Sequence, residues 1–255
     1  MAVHTIAFAM SVLSAGVLQA ITPVPDATVT ENGTLIYVPA KYNKVVAIGA
    51  VCASSSFSAA ALHAPSLREM FFPSIDPLIN SPSFTSGNSV ERHFTDPLVL
   101  ETNEGLEFFA DGGGDGTTPQ VVTGVVWLSD GPIQPAKGKS YKLSASSTIA
   151  TVPNAWKNGP LVFSQVLPVG TYQILGLRAF GTGLIAVRLV FIGASAVTRP
   201  GVPGMPNIRN TPIDGFMSGE FGVLGSFNSI TPPSIDVLGG NDVAQTYEFD
   251  LIKTG

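Results

Sequence analysis

The chain has 255 residues, with 27 Gly and 20 Pro but only 12% charged residues, about half the share usual in globular proteins. Its 45% hydrophobic content and net charge of -5 exclude a disordered chain and a basic protein that coats nucleic acid. Gly and Pro at this frequency exclude a helical bundle, and a single cysteine excludes a disulfide framework or a Cys-x-x-Cys zinc site.

From the N-terminus, no formal charge appears before Asp26. The stretch from His4 to Ser14 is apolar enough for a signal-peptide core, but no Lys or Arg precedes it and Leu18-Gln19-Ala20 is a poor cleavage site. Ser11, Ser14, Gly16 and Gln19 interrupt it, and Pro23 and Pro25 close it, so it does not read as a membrane span. Ile6, Phe8, Met10 and Val12 recur at period 2, which predicts a retained strand with one greasy face. That face is also the natural place to look for contact with lipid. Asn32-Gly33-Thr34 is a formal glycosylation sequon that reads better as a turn.

Further strands are expected at Thr34–Val38, Lys44–Ser54, Glu91–Leu100, Leu106–Ala110, Val121–Ser129 and Tyr141–Thr151. Others follow at Leu161–Leu167, Thr171–Phe180, Leu184–Ile192, Glu220–Phe227, Ser234–Leu238 and Val243–Ile252. Cys52, in the apolar run that begins at Val45, reads as a small buried hydrophobe. Ser66, three residues before Glu69, fits the N-cap of one short helix over Leu67–Phe71. Gly181-Thr182-Gly183 reads as a hairpin loop between two strands. Asp111-Gly112-Gly113-Gly114-Asp115-Gly116 reads as a flexible hairpin tip, with too few carboxylates for calcium. Many short strands with Gly/Pro turns predict an all-β sandwich or barrel.

The halves look alike. Asn32–Val38 resembles Val169–Leu175, Lys44–Val51 answers Leu184–Phe191, and Val125–Gly131 lines up with Phe249–Gly255. Pro65, Met70 and Pro77 match Pro200, Met205 and Pro212. An internal duplication follows, with its seam in the linker-like Pro132–Lys139. The expected domains are residues 1–133 and 138–255. Each is long enough for a jelly roll, and an immunoglobulin-like sandwich is the alternative, although no Cys–Trp–Cys signature is present. The long excursions Ser55–Asn88 and Ala194–Gly219 suit the jelly roll better.

The segment Leu167–Arg178 followed by Ala186–Gly193 resembles a strand pair of the double jelly-roll major capsid proteins of tailless icosahedral viruses, among them the corticovirus-type and lipid-containing Flavobacterium-phage-type bacteriophages. The resemblance covers the two repeat cores and rests on apolar spacing. It implies two jelly rolls with few short helices, a homotrimer forming a pseudo-hexameric tile of an icosahedral virion shell, and synthesis in the host cytoplasm. It implies contacts with neighbouring trimers, with vertex and minor capsid proteins and with an internal membrane where one exists. It carries no active site, cofactor or metal. Sparse charge agrees with such packing, because a folded monomer of this length exposes roughly 11,000 Å², and obligate interfaces cover such surface with apolar contacts.

Chemistry is scarce. His4, His63 and His93 are scattered, with no His-x-His pair as in metal-binding cupins. No Gly-x-Ser-x-Gly elbow, phosphate loop or His-Glu-x-x-His occurs. Glu101, Glu104 and Glu107 read as a solvated face, and Arg68, Arg92, Arg199 and Arg209 as isolated cations suited to acidic partners across subunits. Without a basic arm, direct nucleic-acid binding is not expected. Catalytic, cofactor-binding and metal residues are therefore none, and the chain reads as non-enzymatic. The alternative is a carbohydrate- or ligand-binding β-sandwich, a fibre or surface lectin, with Trp127 and Trp156 as candidate groove aromatics although Trp127 lies in a strand-core context. A β-sandwich hydrolase would need a clustered acid and base that the sequence does not display.

Overall fold

A computed structural model describes residues 3–12, 17–52, 59–69, 90–111, 119–131, 137–192, 199–205, 223–240 and 243–255. In chain order the strands are β1 (Val3–Val12), β2 (Gln19–Ile21), β3 (Thr30–Asn32), β4 (Leu35–Tyr37), β5 (Lys44–Cys52) and β6 (Ala59–His63). After the short helix α1 (Pro65–Glu69) come β7 (Val90–Val99), β8 (Gly105–Asp111), β9 (Gln120–Ser129), β10 (Lys139–Ser147), β11 (Lys157–Pro160) and β12 (Val162–Phe163). The last are β13 (Thr171–Phe180), β14 (Leu184–Val190), β15 (Gly201–Met205), β16 (Gly225–Asn228), β17 (Ser234–Gly239) and β18 (Gln245–Lys253). The chain is all-β and builds sandwiches.

One sheet has the order β1-β9-β5-β7, and a second has β2-β8-β4-β3 with β6 also on β8. A third runs β11-β17-β14-β15-β13-β18-β10-β12, with β16 on β13. In it β15 bridges two arms, antiparallel to β14 and parallel to β13. Among the described residues no ladder joins β1–β9 to β10–β18. The two groups share a connection rule. The first strand pairs the last (β1 with β9, β10 with β18), the last pairs a middle strand (β5, β13), and that strand pairs a late one (β7, β16).

Side-chain alternation sorts the core in two. Ile6 and Phe8 of β1, Ile48 of β5 and Val122, Val126 and Leu128 of β9 pack with Ile36, Leu62 and Phe108 from the second sheet. Val3, Ala7 and Ala9, with Ala47, Val125 and Trp127, point the other way and join Ala186, Leu189, Val237 and Phe249 of the second group. The sheet around β1 and β9 is thus buried on both faces. Period-2 reading expected one greasy face on β1, but every side chain from Val3 to Ala9 is buried. At about 1.5–3 kcal/mol for each large apolar side chain, this double burial is a major source of stability.

Several local expectations need correction, all because partners lie far off in sequence. Gly181–Gly183 does not close a hairpin: β13 and β14 lie on separate arms of the third sheet, and the turn is a corner between them. The pair of segments behind the capsid resemblance therefore occupies two arms. The stretch expected as a hairpin tip, residues 112–116, lies outside the described residues; the strands on either side of it, β8 and β9, belong to different sheets. The helix starts at Pro65, which suits a first helical position. Ser66 lies inside it, and its N–H and hydroxyl both donate to Glu104, at 3.0 and 2.8 Å. Within the two supposed irregular excursions, Ala59–His63 and Gly201–Met205 are strands. Of the duplicated anchors, Val125–Gly131 and Phe249–Gly255 fall on equivalent last strands, whereas Lys44–Val51 and Leu184–Phe191 fall on inequivalent ones. Residues 132–136, 70–89 and 206–222, with Met70, Pro77, Arg209 and Pro212 among them, lie outside the described residues.

The expected turn at Gly33 holds. Gly33, at φ 64°, turns the β3–β4 hairpin with Thr34, as the sequon stretch suggested. The glutamates expected on a solvated face divide: Glu101 is exposed, but Glu104 and Glu107 are structural acceptors, Glu107 taking the Thr34 hydroxyl at 2.8 Å. Tyr172 donates to the Pro168 carbonyl four residues upstream at 2.7 Å, pinning the loop that enters β13.

Candidate functional site

Where the two strand groups meet, an otherwise apolar seam carries charge. Arg188 interrupts the run Ala186-Val187-Arg188-Leu189-Val190 on β14, and Asp236 faces it on β17. The Arg188 Nε donates to Asp236 at 2.9 Å, and its NH1 donates both to Asp26 and to the Thr5 carbonyl of β1, the latter at 3.1 Å. The Arg188 side chain is 5% exposed and that of Asp26 only 3%, so both charges lie out of water and need one another. Trp156 covers the guanidinium, 4.3 Å from its ring centroid, and Asn158 donates to the second Asp236 oxygen at 2.8 Å. Burial pushes the Asp26 carboxyl up, but the Arg188 guanidinium and the Thr28 hydrogen bonds together hold it below its usual range.

His4 completes the seam. The Arg199 backbone N–H donates to its Nδ1 at 3.2 Å, which places the ring proton on Nε2. Nε2 in turn donates to the Thr28 hydroxyl at 3.1 Å, and that hydroxyl donates to Asp26 at 2.7 Å. Tyr42 stacks on the ring at 5.4 Å. Burial depresses the His4 pKa to about 4, helped by Arg188 and Arg199 and opposed by Asp26. Thr5 N–H bonds to the Arg199 carbonyl at 2.8 Å, so the segment leading into β15 is tied to β1 at two adjacent residues. Gly201 makes this approach possible: a Cβ there would overlap the Val187 carbonyl and the Thr5 hydroxyl.

Sequence reading treated His4 as one of three scattered histidines and Arg199 as a cation for other subunits. The structure sets Arg199 among Arg188, Asp26 and Asp236 of its own chain. It leaves His4 and His63 on different sheets. The missed signal was single charges inside apolar strands, Arg188 and Asp236, which require an ionic partner when buried.

The arrangement can hold two bodies in register. A shallow cleft of about 280 Å³ lies elsewhere, lined by Ser144, Ser146, Val162, Phe163, Thr246 and Glu248 among others. Its carboxylate is engaged by Arg178 at 3.4 Å. Trp127 is fully buried and Trp156 lies against Arg188, so the two do not share a groove face. Among the described residues no group of three or more His, Cys, Asp or Glu could hold a metal, and no helix is long and apolar enough to cross a membrane.

No protein-family model matches the sequence, and no curated protein matches it. Among solved structures, the chain is similar to the major capsid protein P2 from Bacteriophage PM2, with a TM-score of 0.25 and 9% identity over 98% of this chain and 97% of that one. A Paenibacillus xanthan lyase gives a TM-score of 0.23 and 10% identity over 96% of this chain and 25% of that one. Neither score is high enough to assign a shared fold, so the function has to be argued from this chain's own residues.

Proposed function

We propose that the chain is a tandem of two jelly rolls, residues 1–133 and 138–255, and serves as a major capsid protein. Its homotrimers would form pseudo-hexameric tiles of an icosahedral virion shell. One observation carries the reading: β1-β9-β5-β7 and β10-β18-β13-β16 repeat one strand order, each sharing a core with a second set, β4-β8-β6 and β11-β17-β14-β15, the latter also joined to β13 at its edge through β15. Two antiparallel sheets linked this way are the jelly-roll arrangement, and six such bodies per trimer give a near-hexagonal outline. Sparse charge and exposed apolar residues fit burial between subunits. Val169 and Ile230, each 72% exposed, flank the Gly170–Ser229 hydrogen bonds, and Ile192 at 77% lies at the same end of the strands. On this reading the protein is non-enzymatic, and its partners are itself, neighbouring trimers and other capsid proteins.

Light scattering on the native protein, with negative-stain images of the same sample, tests the proposal. A species near three chain masses with a hexagonal outline, or closed shells, is expected. A stable monomer at micromolar concentration overturns it and sends the search to glycans. The double substitution Val169→Asp and Ile230→Asp should shift the mass toward the monomer with little change in melting temperature, because both side chains are already in water.

A further inference from the structure

We propose that His4 is an acid-sensitive latch: while neutral it ties β1 to the segment leading into β15, and its protonation opens that contact between the two strand groups. The inference is independent of the capsid reading and stands on hydrogen-bond direction. In the closed seam Nδ1 is an acceptor, because the Arg199 N–H points at it from 3.2 Å. An imidazolium carries hydrogen on both nitrogens, so a second N–H would face the first and the bond would be lost. The ring is 1% exposed, so the displaced Arg199 N–H can reach solvent only if the contact opens.

The surroundings sharpen the response. Facing His4 are Arg199 from the β15 segment, Arg188 from β14, Asp26 from the turn after β2, and the phenol of Tyr42. On β9 its cross-strand neighbour is the apolar Leu128. Asp236 is one step further, on the far side of Arg188, and Lys41 beside Tyr42 pairs outward with Asp130. Among the described residues the carboxylate that acts on His4 is Asp26, and it is already committed to Arg188 and Thr28. Two cations and a committed anion leave an imidazolium poorly compensated, in keeping with a pKa of about 4 against 6.5 for a free ring. The sign follows. Above the free-ring value the latch is indifferent to pH. As pH falls from 6.5 toward 4, the opened state binds the proton and the closed state does not, so opening is favoured.

Hydrogen exchange on the full-length protein, read as protection factors to remove intrinsic rates, tests this. Amides in peptides spanning 3–9 and 199–205 should lose protection about tenfold per pH unit below the free-ring value, while β13 and β18 amides keep theirs. In His4→Asn the side-chain oxygen can accept the Arg199 N–H and does not titrate, so its profile should be flat. A flat wild-type profile, or a His4→Asn profile that falls like wild type, overturns the latch. Should His4→Asn not fold, ¹³C-histidine titration of the wild type decides: a His4 midpoint below about 5.5 supports the latch, and one at or above it overturns it.

Discussion

The two strand groups use the same strand order but different side-chain patterns. On β18, Gln245, Tyr247, Phe249 and Leu251 point inward, and the residues between them are more exposed. Its counterpart β9 is buried without a break from Val122 to Ser129. Topology cannot explain the difference, because both are the last strand of their group, paired to the first and a middle one. What differs is the outer neighbour. The β1-β9-β5 sheet packs its second face on the other group, whereas the β10-β18-β13 sheet turns a face outward. A strand's sequence pattern therefore records how many faces are covered.

Introducing a charge is the harshest way to break that comparison. Val125→Lys on β9 would bury an ammonium in the seam, and Thr246→Lys on the exposed face of β18 would not. Val125→Lys should fail to fold or lose several kcal/mol in urea titration, and Thr246→Lys should stay within about 0.5 kcal/mol of wild type. Next comes Arg188→Ala, which strands Asp26 and Asp236 without their cation and should cost about 3–5 kcal/mol. The opposite extreme among ion pairs is Lys142–Asp250 on the outward face of β10 and β18, where the lysine is 79% exposed. Lys142→Ala should change stability by no more than about 1 kcal/mol, an effect that shrinks further with salt.

A pH titration of stability sharpens the same contrast. His4, with its pKa lowered to about 4, should withdraw stability as pH falls from 6.5 to that value, by roughly 3 kcal/mol in all. Asp26, also held low, adds its loss only below its free value of 3.8. The acid loss should therefore begin with the histidine, and Arg188→Ala should reduce the Asp26 contribution. Tyr172→Phe removes the bond to the Pro168 carbonyl and should cost about 1 kcal/mol, confined to the second group.

The sequence by itself determined that the chain is all-β, and it located most of the long strands. Thr171–Phe180 matches β13 at both ends. Composition and period-2 alternation are local properties, and backbone preference follows them. It also placed Trp127 in a core and Gly33 in a turn, each decided within a few residues. Tertiary structure alone decided pairing and burial. Gly181–Gly183 looks like a hairpin turn and proves a corner, because β14 pairs with β15 and β17 in place of β13. The short strands β2, β3, β6 and β15 have too few residues to show a period, and their partners define them. The seam was invisible for the same reason. Arg188 reaches Asp26 across 162 positions and the Thr5 carbonyl across 183. A lone charge in an apolar strand announces that a partner must exist, because burying it unpaired is too costly, but only the folded chain says which residue answers.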